Sequence, residues 1–261
     1  MKIVKIMAAC LAAITVFSVY GEDVLTAYTN ASWVLPHWRK FNSMDEYLSI
    51  NGWVSIITKR SFAVDPEAVY EISGMFRTPA GQAKLTYFDL GFSPVDADGR
   101  VIDGTAVLCK QDSLTVLAED VKAGAKSVKI KKAPNWFNNG FIAFNAREDL
   151  SDLPNRENVW FRKPQVQGEF IILPLVKPLK KGYAAGTKVR CHGQGALWTV
   201  CHGYQAPKEW TKFSGKIKGM AKAGGKNNMW WPGTERAKVF ILVQVKSTLE
   251  FKDVAVRKIS E

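Results

Sequence analysis

The sequence predicts an all-β protein, a two-sheet sandwich interrupted by a small β-rich inserted module. Apolar runs are short, bounded by Pro, Gly, Asn and Asp, and alternate with polar residues where a period is visible. Residues 210–259 end in two such runs, AKVFILVQV and LEFKDVAVRKI, which need a second sheet to cover their apolar faces. Their best partner strands lie far upstream, at residues 69–94, and the hundred residues between differ in character. The two parts of one sandwich, residues 22–103 and 206–261, therefore flank an insertion at residues 104–205.

The chain begins with Lys2 and Lys5 ahead of an uncharged run over residues 6–20 and then Gly21. Residues 1–21 resemble a secretory signal peptide and are too short to span a bilayer. Cys10 in MAAC makes a poor lipid-attachment site, because most of the apolar run follows it. A secreted or periplasmic protein is expected, with association to the cell surface open, and no later stretch is apolar enough to cross a membrane. The chain carries 36 Lys and Arg against 24 Asp and Glu, a net charge of +12. That balance favours acidic partners without naming them. The lysines are scattered, with no zinc-finger spacing and no sustained basic helix, so nucleic acid is not expected. A polysaccharide or surface glycan is the expected partner, with a cell-surface protein as the alternative.

Cys109, Cys191 and Cys201 remain after removal of the leader. A Cys191–Cys201 disulfide is expected in an oxidising compartment, and closing so short a loop is worth about 3 kcal/mol in the simple entropy treatment. The repeated CHG at residues 191–193 and 201–203 also offers two Cys and two His, but their adjacency does not match zinc-finger spacing. His192 and His202 are then expected in turns.

Along the chain, SMDEYLSI permits a helical turn with Ser43 as its cap and Glu46 three residues on. Asn51-Gly52 marks a turn before the strand WVSIITK. Residues 69–77 read as a strand in which Gly74 permits a bulge. Residues 84–93 read as the next strand, and VDADGRVIDG as a solvated turn and not an EF-hand calcium loop. Within the insertion, short strands are expected at 114–117, 127–130, 141–145, 169–173 and 187–192.

The outer pieces resemble the jelly-roll, galactose-binding-domain-like β-sandwiches found as carbohydrate-binding modules beside bacterial polysaccharide-degrading enzymes. VDPEAVYEISGMFR, EWTKFSGKIKG, WWPGTERAKVFILVQV and LEFKDVAVRKI carry the resemblance, which spans residues 22–103 and 206–261. It implies non-catalytic binding of a carbohydrate, which the charge extends to an acidic polysaccharide. It also implies a structural calcium, with Asp253 as a ligand and Glu22 or Glu46 as partners. Surface adhesion or assembly is one alternative, and a polysaccharide lyase or glycoside hydrolase another.

Sugar rings present apolar C–H faces and hydroxyl edges, so a binding site needs aromatic rings bordered by polar groups. Trp230 and Trp231 beside Asn227 and Asn228 offer these in one loop, and Trp136 beside Asn138 in another. For either cluster, inward packing and ligand contact are both open. Packing in the core or at a sheet edge is the simpler role for Trp53 and Trp210, each at the start of a strand. Arg162 beside Trp160 suits a carboxylate or sulfate. Lys122, Lys126, Lys129, Lys131 and Lys132 suit either an anionic glycan or a protected strand edge. A glycosidase would need a carboxylate pair such as Glu71 and Asp89. No G-x-S-x-G or H-E-x-x-H signature is present.

Overall fold

The computed structural model describes residues 22–37, 39–43, 46–194, 199–226, 228–244 and 246–259. The expected leader at residues 1–21 lies outside them. The opening strands are β1 (Glu22–Ala27), β2 (Trp33–Val34), β3 (Asn42–Ser43), β4 (Leu48–Asn51), β5 (Val54–Thr58), β6 (Phe62–Ala63), β7 (Val69–Arg77) and β8 (Thr86–Val95). A one-turn helix α1 (Gly104–Val107) precedes β9 (Thr115–Val116), β10 (Ser127–Lys131), β11 (Asn139–Phe144), β12 (Asn158–Arg162), β13 (Gln165–Gln167), β14 (Phe170–Pro174) and β15 (Lys188–His192). The chain closes through β16 (Thr199–Ala206), β17 (Thr211–Ile217), β18 (Arg236–Val243) and β19 (Thr248–Ile259). No helix among the described residues is long and apolar enough to cross a membrane.

The fold is all-β and sandwich-like, built from antiparallel sheets. One six-stranded sheet runs β17-β7-β19-β4-β3 with β1 also on β19; the other runs β16-β8-β18-β5-β2 with β6 also on β18. Strand alternation points Ile72 and Phe76 of the first sheet, and Phe88, Leu90 and Phe92 of the second, into one shared core. Phe76 stacks on Phe88 at 4.5 Å, and Trp33 meets Phe251 edge-on at 5.5 Å, so aromatic pairs join the sheets.

The strand β19 breaks its own alternation once. Asp253 takes φ +52°, and the ladder with β7 shifts register between Lys252 and Ala255. This bulge keeps Phe251 on one side of it and Val254 and Val256 on the other all facing the core. Gly74 sits across from it, where an added Cβ would lie 2.8 Å from the Phe76 ring and 3.0 Å from Val254. The expected bulge is real, but the extra residue is on the partner strand.

The seven middle strands form a three-stranded sheet, β10-β14-β13, and a four-stranded sheet, β12-β11-β15-β9, around a second core containing Ile130, Ile142, Phe161 and Val189. The strand β16 belongs instead to the second large sheet, paired with β8, so strands of the large sheets resume at residue 199 and not 206. The helical turn expected after Ser43 falls in part on residues 44 and 45, which lie outside the described residues. Strands β3 and β4 pair on either side of them, through Asn42 with Ser49 and Ser43 with Leu48.

Cys191 is a free thiol in the second core, so the expected Cys191–Cys201 bridge is not formed. The two cysteines stand on β15 and β16, which belong to different sheets. The side chain of Cys201 lies outside the described residues. His192 is not in a turn but in β15, fully buried. Its Nδ1 donates to the Thr105 carbonyl at 2.8 Å, while Nε2 accepts from Arg190 Nε at 3.3 Å. Arg190 in turn pairs with Asp152 at 2.7 Å. Both ring nitrogens are thus used by the neutral form. Burial, with Arg190 nearby, pushes the His192 pKa down to about 4.

The unfolded chain takes up this proton near the ordinary value of 6.5, whereas the folded chain resists until about pH 4. Unfolding free energy therefore falls as pH falls between those values, by roughly 2 kcal/mol from pH 7 to pH 5. Urea unfolding at the two pH values measures this slope, and the His192→Asn variant is expected to flatten it by that amount.

Candidate functional site

The outer face of the first large sheet follows directly from its ladders. In β7, Ile72 and Phe76 point inward, so Glu71, Ser73, Met75 and Arg77 point outward. In register, Lys212 of β17, Met75 of β7 and Lys252 of β19 form one outward row, and Lys216, Glu71, Arg257 and Asp23 form another. Trp210 immediately precedes β17 and keeps the phase of Lys212, Ser214 and Lys216.

At the end of this face two half-buried aromatic rings meet a guanidinium. Trp210 and Tyr47 pack edge to face at 5.5 Å. Arg77 lies 4.5 Å from the Trp210 ring centre and 5.1 Å from that of Tyr47, and the Lys252 ammonium is 4.9 Å from Trp210. Glu250, next to Arg77 across the ladder, accepts from its Nε at 2.5 Å. That hydrogen bond raises the Arg77 pKa above its ordinary value. Cation–π contacts of this kind fix ring orientation before any ligand arrives.

The residues expected from sequence are placed differently. Trp230 is wholly buried in the sandwich core, against Phe92 at 4.9 Å and Tyr70 at 5.7 Å. Trp231, 3% exposed, fills a small third core with Ile102, Ala106 and Val107. Neither ring offers a platform to solvent, because the pair divides between two apolar pockets beneath its loop. Asn228 is exposed, and Asn227 lies outside the described residues. Trp136 packs on Phe161 at 5.5 Å and donates its Nε1–H to the Ser113 carbonyl at 3.1 Å, while Asn138 stays exposed beside it. Trp53 is not packed at all: it is 73% exposed at the turn between β4 and β5.

Of the carboxylates expected beside Asp253 for a calcium, Glu22 stands away from it along the ladder. Glu22 pairs with Lys258, five residues from Asp253, or about 16 Å along a strand. Glu46 is exposed ahead of β4, two residues before Leu48, whose partner Phe251 lies two residues before Asp253. Among the described residues no group of three or more His, Cys, Asp or Glu side chains gathers at one point. Asp253 is the bulge residue of β19. Glu71 and Asp89 also part company. Glu71 is on the outer face of the first sheet, whereas Asp89 is on the outer face of the second, nearly buried and bonded to Gln244 at 2.7 Å. Two sheets of the sandwich separate them, so they cannot flank one glycosidic bond.

No family model and no curated protein matches the chain. Among solved structures it is similar to the CBM22-1 xylan-binding domain of Paenibacillus barcinonensis Xyn10C, at 11% identity and TM-score 0.38, covering 92% of this chain and 97% of that one. It is also similar to the CBM22-1-GH10 modules of Clostridium thermocellum xylanase 10B, complexed with xylohexaose, at 9% identity and TM-score 0.42, covering 93% of this chain and 29% of that one. The CBM22-1-CBM22-2 tandem of the Paenibacillus protein gives 10% identity and TM-score 0.40, with 94% and 48% covered. At such identities and TM-scores, what those proteins bind is a property of theirs alone.

The contrast between core and surface tryptophans has a direct consequence. Trp230→Ala is expected to cost about 3–5 kcal/mol of stability, whereas Trp210→Ala stays within about 1 kcal/mol. Guanidinium chloride unfolding of the two variants measures the difference.

Proposed function

We propose that the protein binds an acidic polysaccharide, without cleaving it, on the outer face of the sheet that holds β7, β17 and β19. The observation that supports this most strongly is the Trp210–Arg77–Tyr47 cluster on a sheet face bordered by lysines. The apolar face of a pyranose ring fits beside half-exposed aromatic rings. Carboxylates along an acidic polymer fit the ammonium groups. Arg77 is already paired with Glu250 and Arg257 with Asp23 at 2.7 Å, and Glu71 stands in register beside Lys216, so Lys212 and Lys252 carry the unbalanced charge of the face. In this reading residues 1–21 export the chain to the periplasm or beyond, where such polymers are met.

Affinity electrophoresis through gels containing polygalacturonate or uncharged xylan provides the test. Retardation by polygalacturonate should exceed that by xylan, weaken at raised salt, and drop about tenfold in Trp210→Ala and in the double variant Lys212→Ala/Lys252→Ala. Equal retardation by both polymers, or an unchanged Trp210→Ala variant that is folded by circular dichroism, contradicts the proposal.

A further inference from the structure

A second cleft lies in the middle of the chain, remote in sequence from the sheet face. It has a volume of about 490 Å³, within the range of small-ligand sites. Its apolar wall includes Phe141 and Trp160, cross-strand neighbours on β11 and β12, whose rings run nearly parallel at 6.2 Å. The opposite side is the loop after β14, with Val176, Lys177, Pro178 and Lys180. This loop is fixed in place. The Val176 amide donates to the Trp160 carbonyl at 2.8 Å, the Leu179 amide donates to the Ala125 carbonyl at 3.0 Å, and the Leu179 side chain is buried in the second core. The cleft is therefore preformed.

Its charge is one-sided. Glu157, the acidic residue of the lining, is bonded to Lys181 at 2.7 Å and to Asn145 at 2.7 Å. The hydrogen bond from Lys181 comes first among the causes that hold the Glu157 pKa below its ordinary value, so it is ionised and already balanced. Arg156 is held by Asp96 at 2.7 Å. Lys177 and Lys180 are exposed and engage no carboxylate among the described residues. An apolar wall facing two unbalanced ammonium groups selects a ligand that is apolar on one side and anionic on the other.

We infer that this cleft is a second binding site, taking one anionic saccharide unit of the same class as the polymer at the sheet face. The ring lies against Phe141, Trp160 and Val176, and its carboxylate or sulfate meets Lys177 and Lys180. The ligand class rests on the function proposed above, but the cleft itself shares no lining residue with the sheet face.

Isothermal titration of the whole protein with a galacturonic-acid tetramer, a sulfated cellotetraose and plain cellotetraose tests this, with Lys177→Ala/Lys180→Ala and Trp210→Ala as variants. Two tetramers per chain are expected for the wild type, and at least tenfold weaker binding of one of them in the lysine variant. Binding of the galacturonate alone names a carboxylate site, and binding of the sulfated sugar alone names a sulfate site; either supports the cleft. If the lysine variant loses one tetramer while Trp210→Ala loses none, the cleft stands and the sheet face falls. Charged tetramers that bind no tighter than cellotetraose, a lysine variant identical to wild type, or complete loss of binding in Trp210→Ala each overturn the second site.

Discussion

The strand β19 is the constraint on which the sandwich depends. It pairs with β7 along one side and with β1 and β4 in succession along the other. Residues 22–77 and 248–259 therefore complete this sheet only together, across almost the whole length of the chain. A shift of one residue would exchange the two faces of the strand, turning Phe251, Val254 and Val256 outward. The bulge at Asp253, with Gly74 opposite, is what lets a twelve-residue strand keep both apolar groups inward. By the same register it sets Lys252, Ala255 and Arg257 on the outer face, beside Met75, Ser73 and Glu71. Core packing and the candidate surface are thus two consequences of a single ladder.

Much of the sandwich was legible in the sequence because its long strands carry the period-two pattern. Residues 69–77 and 248–259 read correctly as strands, and the three-residue gap from Phe251 to Val254 in LEFKDVAVRKI is the bulge itself. What failed were choices made by distant partners. ALWTVCHGY looked like the end of the insertion, but pairing with β8 assigns β16 to the large sheet. SMDEYLSI carries a helix-capping signal, yet Ser43 at its start and Leu48 and Ser49 near its end pair as strands. Local spacing made Cys191 and Cys201 look like partners, although their strands belong to different sheets.

The sequence left the adjacent tryptophans open between core and platform for an instructive reason. Two adjacent rings in a polar loop suggest a platform, yet neighbouring loop residues diverge, and Trp230 and Trp231 enter two separate cores. Trp210, expected to pack in the core or at a sheet edge, shares the parity of Lys212, Ser214 and Lys216, a signal of the polar face that the sequence reading did not use. Tyr47 had no such signal, since it reaches Trp210 only through the tertiary fold. Arg77 shared the outward parity of Glu71 and Ser73, but its contact with both rings required the register of β7 against β17 and β19.

The central claim is that the outer face of the first sheet binds an acidic saccharide through Trp210. The most direct measurement is a nuclear magnetic resonance titration of the nitrogen-labelled protein with a galacturonic-acid oligomer, following the indole N–H of Trp210 and the amides of β7 and β17. A binding face there predicts that these signals shift together and saturate with the ligand. A Trp210 indole signal that stays fixed while the protein is saturated elsewhere would contradict it.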